Sequence, residues 1–160
     1  MAESNGSRNA MGLLAFFTFL NIINFVDRNL IIGFSPAIME DLQLSQKQYG
    51  LLTGIVFTVF YTFVGVILGM MADRFNRPRL IAIGLLVWSV MTAASGAARN
   101  FVHMGLARLF VGAGEATLTP TALSLLSDVF PANRRAMASG VYYMGVPLGT
   151  AAGLIVAGLP

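Results

Sequence analysis

Ala107-Arg108-Leu109-Phe110-Val111-Gly112-Ala113-Gly114-Glu115-Ala116 places an arginine and a glutamate inside an apolar segment long enough to cross a bilayer. The two charges are seven residues apart, so on a helix they fall near one face, two turns from each other. A charge near the bilayer centre costs at least ~2.5 to 3.5 kcal/mol on insertion scales. A soluble core has no need of this arrangement, and a plain lipid anchor would avoid it. With Asp27 and Arg28 nearer the N-terminus, Arg108 and Glu115 are expected to line a polar cavity and to carry transport chemistry.

Composition points the same way. Of 160 residues, 56% are hydrophobic and only 11% charged, with a mean hydropathy of +0.75. A soluble domain carries roughly a quarter charged residues, so the chain reads as an integral membrane protein. Cysteine is absent and there is one histidine, which removes disulfides, thiolate metal sites and His-rich metal sites. No metal and no cofactor is expected. The net charge of +3 is spread over span ends rather than gathered in one patch, which argues against a nucleic-acid partner. Neither a nucleophile elbow nor a His-Glu-x-x-His motif is present, so no enzyme activity is expected. Gly112-Ala113-Gly114 does not make a dinucleotide fingerprint, because no strand precedes it and Thr117 stands where the third glycine belongs.

Taken in order, residues 1–10 form a polar cytoplasmic tail, followed by an apolar run too long for a signal-peptide core. Residues 11–160 form an N-terminal transmembrane bundle with expected spans at about 11–38, 49–72, 79–98, 101–127 and 136–159. The first is interrupted by Asn21, Asn24, Asp27, Arg28 and Asn29, and Pro36 limits or bends it near its far end. Ser45 with Gln48 reads as a capping box opening the second. Gly65 and Gly69 give that span a small-xxx-small packing face. Pro78 sits at the start of the third span, where its missing N–H is tolerated. Trp88 falls mid-span and is expected to pack. Pro120 should kink the fourth span and free a carbonyl that Thr117, Thr119 or Thr121 could satisfy. The fifth carries Gly140, Gly145, Pro147, Gly149 and Gly153, a pattern suited to bending, to close packing, or to both.

Loop charge sets orientation. Outside the spans, Arg8, Arg74, Arg77, Arg79, Arg134 and Arg135 fall on the N-terminal side, against Lys47 and Arg99 on the other. Six against two places the N-terminus in the cytoplasm. The expected setting is multi-pass in a membrane, such as a bacterial inner membrane. Rise per residue puts Asp27 roughly 16 Å and Glu115 roughly 21 Å below the outer surface, with Arg108 about 10 Å nearer the outside than Glu115.

Each constellation has a bland alternative. A carboxylate in a low-dielectric cavity can bind and release a proton near neutral pH, and an arginine fork can hold a phosphate or carboxylate. Asp27 and Glu115 are the candidates for proton coupling. Arg28, Arg108, Asn24 and Tyr61 are the candidates for substrate binding. The alternative is structural ion pairing. The Gly69 to Arg77 turn, with Asp73, Arg74 and Arg77, can form a latch with Asp128 on the same membrane face; alternatively it is only a topogenic basic loop. Phe57, Phe60, Tyr61 and Phe63 are packing residues or a ligand cage, and His103 sits at the outer interface.

These residues resemble a known family. Gly69-x-x-x-Asp73-Arg74-x-x-Arg77 looks like the major facilitator superfamily signature between its second and third helices. Arg108-x-x-x-Gly112-x-Gly114-Glu115-Ala116 resembles its fourth-helix signature, and the glycine-proline pattern around Pro147 its fifth-helix motif. Asn24-Phe25-Val26-Asp27-Arg28 and Gly112-Ala113-Gly114-Glu115-Ala116 are most similar to Spinster-like transporters, and Ala72 to Arg77 and Tyr142 to Gly149 agree. The resemblance implies an all-α membrane protein with twelve helices in two halves, of which five transmembrane helices of the N-terminal half are present. The partner it implies is a missing C-terminal half. It also implies proton-coupled, alternating-access movement of a lysophospholipid or sphingosine-phosphate-like substrate. By that analogy Asp27 and Glu115 are protonatable, Arg28 and Arg108 engage a headgroup or the carboxylates, and Asp73, Arg77 and Asp128 belong to the cytoplasmic gate. Two other functions stay open: a symporter of a small organic anion or sugar, using Asn21, Asn24, Tyr142 and Tyr143 in a compact pocket, and a non-transporting membrane scaffold or receptor.

Overall fold

A computed structural model describes residues 2–72 and 75–158. Asp73 and Arg74 of the expected gate therefore lie outside the described residues. Among the described residues every regular element is a helix: α1 (Ala2–Gly33), α2 (Ser35–Asp41), α3 (Gln46–Thr53), α4 (Ile55–Ala72), α5 (Arg77–Ser95), α6 (Phe101–Glu115), α7 (Leu118–Val129), α8 (Ala132–Tyr143) and α9 (Gly145–Val156). Five stretches are long and apolar enough to cross a membrane: Asn9–Gly33, Gln46–Met70, Arg77–Ser95, Phe101–Val129 and Ala132–Val156. Their outward residues include Phe63, Ile83, Leu86, Val102 and Ile155, all large and exposed. That surface suits hydrocarbon rather than water.

Three of the five stretches are broken within their length. In the fourth, Pro120 has no N–H for the Ala116 carbonyl, and its ring crowds the preceding turn. The helix therefore breaks at Ala116–Thr117, one turn upstream of the proline. Thr117 compensates twice at Gly114: its N–H lies 3.2 Å from the Gly114 carbonyl and its Oγ1 donates to the same oxygen at 2.8 Å. Pro147 acts likewise in the fifth stretch, where the break falls at Met144, whose N–H is shared between the Gly140 carbonyl at 3.1 Å and the Val141 carbonyl at 3.2 Å. In the second stretch the break is at Gly54, with no proline nearby; a Cβ there would stand 2.5 Å from the Gly50 carbonyl oxygen. The first stretch ends earlier than its hydropathy suggests. α1 stops at Gly33, and Pro36 lies in the first turn of the separate α2. The residue before a proline resists helical geometry, whereas the first turn of a new helix accepts proline.

Caps set the other starts. The expected box at Ser45 and Gln48 is formed: the Gln48 N–H reaches Ser45 Oγ at 3.3 Å and the Ser45 N–H donates to Gln48 Oε1 at 2.9 Å. Asn76 Oδ1 accepts from the Arg79 N–H at 3.1 Å and opens α5, with Pro78 in its first turn. Asn100 does the same for α6, accepting from the His103 N–H at 2.9 Å.

The chain divides into two compact units, Met1–Gly33 with Ala122–Pro160, and Phe34–Thr121. In the first unit α1 lies along α9 and also touches α8. Gly145, Gly149 and Gly153 form one stripe of α9. Cβ atoms there would stand 2.9 Å from Asn21 Cβ, 2.7 Å from Phe25 Cβ and 2.8 Å from Asn29 Cβ respectively. These glycines thus let two backbones meet, as small residues do in membrane helix pairs. Asn21 Nδ2 donates to the Tyr142 carbonyl at 2.9 Å, in the turn before the Met144 break, and ties α1 to that break.

In the second unit α6 is the central helix, packed against both α5 and α4. Gly114 of α6 lies on the backbone of α5, where a Cβ would be 2.6 Å from the Gly84 carbonyl oxygen and 2.7 Å from the Trp88 nitrogen. Gly84 in turn abuts the side chain of Thr117. Trp88 is buried at this crossing and packs, as its mid-span position suggests. Gly65 and Gly69 of α4 face Ala116 and Pro120 at ordinary contact distance. Leu44, Leu52 and Met104 form a buried apolar cluster with Ile38, Leu42 and Phe101 packed around it.

Candidate functional site

The buried positions of α6 include Met104, Ala107, Arg108, Val111, Gly114 and Glu115. Their spacing of three and four makes one face, and both charges lie on it. Arg108 is 6% exposed and Glu115 only 1%. Both residues are engaged by neighbours. The Arg108 guanidinium carbon stands 4.9 Å from the centroid of the Phe57 ring on α4. An arginine over an aromatic face is held by the ring quadrupole, more strongly where water is excluded. Phe57 is itself positioned by two neighbours. It stacks on Tyr61 at 6.0 Å between centroids with an interplanar angle of 20°. Gly112 opposes the ring so closely that a Cβ there would be 3.0 Å from Phe57 Cε2. The glycine of the Arg108-x-x-x-Gly112 spacing therefore makes room for the ring that carries the arginine.

A cavity of about 320 Å³ adjoins this assembly, lined by Leu51 and Leu52 of α3, Phe57 of α4, and Phe101, Val102, Gly105, Leu106, Arg108 and Leu109 of α6. Apart from the guanidinium the wall of this cavity is apolar. Glu115 is the last residue of α6, at the break before Thr117. One turn beyond, Thr121 is fully buried with a hydroxyl that has no hydrogen-bond partner.

Asp27 and Arg28 belong to the first unit, whereas Arg108 and Glu115 belong to the second. Asp27 and Arg28 are half-buried on α1, and both are engaged by neighbours. The Arg28 guanidinium carbon lies 5.4 Å from the Phe25 ring centroid. Asn24 is 4% exposed, and its amide nitrogen is buried with no hydrogen-bond partner. Asn29 is tied down, donating to the Phe25 carbonyl at 2.7 Å and to Thr150 Oγ1 at 3.4 Å. Asn21 is likewise occupied by the Tyr142 carbonyl, and Tyr143 is exposed. The four residues proposed for a compact sugar pocket thus include one structural amide and one outward ring.

Of the gate residues, Gly69 lies on α4, with space beside Pro120 for a methyl group. Arg77 opens α5 in the second unit and Asp128 is an exposed residue of α7 in the first; both are engaged by neighbours. His103 is exposed in the first turn of α6 and borders a second, shallower cavity between α5 and α6. Among the described residues no group of three or more His, Cys, Asp and Glu side chains could hold a metal ion.

Sequence alone leaves Phe57 between packing and a ligand cage and does not connect it with Arg108. Its spacing of four from Tyr61 suits a helical ring pair. Nothing local, however, links it to Arg108, fifty-one positions away.

Comparison with known proteins places these features in a family. Residues 17–159 match the model of the Major Facilitator Superfamily. The chain is 30% identical over 153 residues to Protein spinster of Drosophila melanogaster, covering 96% of this chain and 25% of that protein. It is 30% identical over 145 residues to the hexuronate transporter of Bacillus subtilis strain 168, covering 91% of this chain and 34% of that one. A crystal structure of a bacterial homolog to the human lysosomal transporter Spinster superposes with a TM-score of 0.88 at 38% identity, covering 93% of this chain and 31% of that one. The chain thus spans about a quarter to a third of the length of these relatives. With its broken spans, its charged fourth-helix face and a match over nearly its whole length, the chain belongs to the Major Facilitator Superfamily and has Spinster proteins among its relatives.

Proposed function

We propose that this chain is the leading part of a proton-coupled secondary transporter that moves an anionic single-chain lipid by alternating access. The observation that carries the reading is the buried guanidinium of Arg108, held over Phe57 on the wall of an otherwise apolar cavity. A headgroup of negative charge answers the guanidinium, and an alkyl chain answers the wall. Similarity to spinster proteins supports the transporter part of this reading. In this reading Arg28, Arg108, Asn24 and Tyr61 bind substrate, and Asp27 and Glu115 carry the coupling proton. Glu115 suits that role because it sits at a helix break, where a change of charge bears directly on packing. Gly69, Asp73, Arg74, Arg77 and Asp128 form the cytoplasmic gate. The N-terminus lies in the cytoplasm of a bacterial inner membrane, and a C-terminal half completes the substrate path.

The test is lysolipid flux in proteoliposomes holding the full-length protein, with an imposed pH gradient. Glu115→Gln is expected to abolish the response to the gradient while the protein remains folded. Flux that follows the gradient as in the wild type would refute the proton role.

A second reading, symport of a small organic anion, draws on the 30% identity to the hexuronate transporter. Competition separates the two: lysolipid displaced by hexuronate at similar concentrations favours the small anion, and no displacement favours the lipid.

A further inference from the structure

One non-glycine residue among those described has a left-handed backbone: Gln43, with φ of 50°. It follows α2 in a Schellman closure. The Leu44 N–H reaches back to the Met39 carbonyl at 2.8 Å, and the Gln43 N–H to the Glu40 carbonyl at 3.3 Å. Glycine usually fills this position, because a Cβ crowds the following carbonyl oxygen. A side chain stays in such a conformation only where its neighbours hold it. The hold here is Leu44, buried between the exposed Gln43 and Ser45 and clustered with Leu52 of α3 and Met104 of α6. Ile38, Met39 and Leu42 lie against the same cluster. A second tie is polar: the hydroxyl of Tyr49, on α3, is hydrogen-bonded to Ser35, the first residue of α2.

Without these ties α2 has little to keep it formed. It is seven residues long and none of them is buried. A helix of that length is marginal by itself, and few buried contacts mark the low end of local stability. Its position gives the weakness a use. At this end of the second unit α3 begins, α5 ends and α6 begins. Leu52 and Phe101 touch the Leu44 cluster on one side and line the cavity beside Arg108 on the other. Residues 35–44 therefore close the end of the seam between α3 and α6.

We propose that residues 35–44 are a strap that opens by withdrawing Leu44 from between α3 and α6 and parting Tyr49 from Ser35. The left-handed backbone of Gln43 biases the strap toward opening. The apolar cluster and the Tyr49–Ser35 bond bias it toward closure. The inference rests on the transport reading for what passes when the strap opens, whereas the movement itself does not depend on it.

The experiment reads the movement directly. Cysteine is absent from this chain, so Leu44→Cys can be placed in the full-length protein with any other cysteine replaced by serine. Its reaction with a membrane-impermeant maleimide in nanodiscs reports the open strap, and Lys47→Cys, at an exposed position, is the reference. Gln43→Gly removes the strain and should slow labelling at position 44 by about fivefold. Tyr49→Phe removes the polar tie and should speed it by about fivefold. Each factor corresponds to ~1 kcal/mol at a factor of ten per ~1.4 kcal/mol. Labelling at position 47 should keep one rate throughout, and thermal melting establishes that each variant is folded. Two substitutions of opposite sign also separate strap opening from a general loosening. Rates at position 44 that do not shift in opposite directions overturn the strap. A second arm tests its use: a short bismaleimide joining Ser35→Cys to Tyr49→Cys before reconstitution should stop lysolipid flux in proteoliposomes, and the same double variant left unjoined should keep it. Flux that persists through the crosslink overturns the gating role. No lysolipid flux in the unjoined protein, with labelling as expected, strikes the transport reading alone.

Discussion

Gly114→Ala tests whether the α5–α6 crossing holds the charged helix in place. The added methyl carbon would stand 2.6 Å from the Gly84 carbonyl oxygen, 2.7 Å from the Trp88 nitrogen and 2.9 Å from Trp88 Cβ. Carbon prefers neighbours at about 3.5 to 4.0 Å. Two of the three obstructing atoms belong to the α5 backbone, so no rotamer change relieves the overlap. The helices must instead part by roughly 1 Å, which forfeits a quarter to a half of each contact along the seam. Overpacking of this kind costs about 1 to 3 kcal/mol. Alanine returns at most ~1 kcal/mol through helix propensity. With that return taken in full, the net destabilisation is about 0 to 2 kcal/mol, or a fall of up to roughly 8 °C in melting temperature for a domain of about 150 to 250 residues; against a control that gains the same propensity without the clash the difference is about 1 to 3 kcal/mol. Thermal melting of the purified full-length protein in detergent reads it. Gly140→Ala supplies the internal control, since a Cβ at Gly140 meets nothing within 4 Å. If Gly114→Ala melts together with Gly140→Ala, the close crossing is not what holds α6, and the reasoning fails.

Gly149→Ala should destabilise the first unit by a comparable amount, about 1 to 3 kcal/mol, because its methyl would press on the Ile22 carbonyl and on Phe25 Cβ; the same melt checks it. Asn21→Leu removes the donor to the Tyr142 carbonyl beside the Met144 break and should cost about 1 to 3 kcal/mol in a chemical unfolding series. Phe57→Leu takes the ring from beneath Arg108, and binding of an alkyl phosphate should weaken by about 0.5 to 2 kcal/mol more than binding of the matching alkanol, which loses only the ring's share of the cavity wall. Ser45→Ala opens the capping box of α3 and should lower stability by about 1 kcal/mol, seen as faster amide exchange in the first turn of that helix.

Some of this molecule is legible without coordinates. Membrane character, five spans and the cap at Ser45 depend on residues within one turn or one span of each other; the caps at Asn76 and Asn100 are equally local, though the sequence reading does not single them out. Hydropathy over about twenty residues decides whether a helix crosses the bilayer. A cap needs only its own first turn. The breaks at Ala116–Thr117 and Met144 belong with them in part, since each follows from a proline one turn downstream, whereas the break at Gly54 has no such marker. The charged face of α6 was likewise visible as a spacing of seven.

What the sequence could not say is which partner each of those residues meets. Seventeen glycines look alike in a list. Yet Gly84, Gly114, Gly145, Gly149 and Gly153 sit at backbone crossings, while Gly12, Gly50 and Gly140 have nothing near them. The same holds for Phe57, one of four aromatic residues in α4 and the one that lies beneath Arg108. It holds too for the cavity beside that arginine, whose walls come from α3, α4 and α6. Local pattern by itself determined that helices form, where they are capped and that they enter a bilayer, because those free energies are settled within a segment. Only the tertiary structure decided which surfaces close on each other and what space they leave, because packing energy depends on shape between segments far apart in the chain.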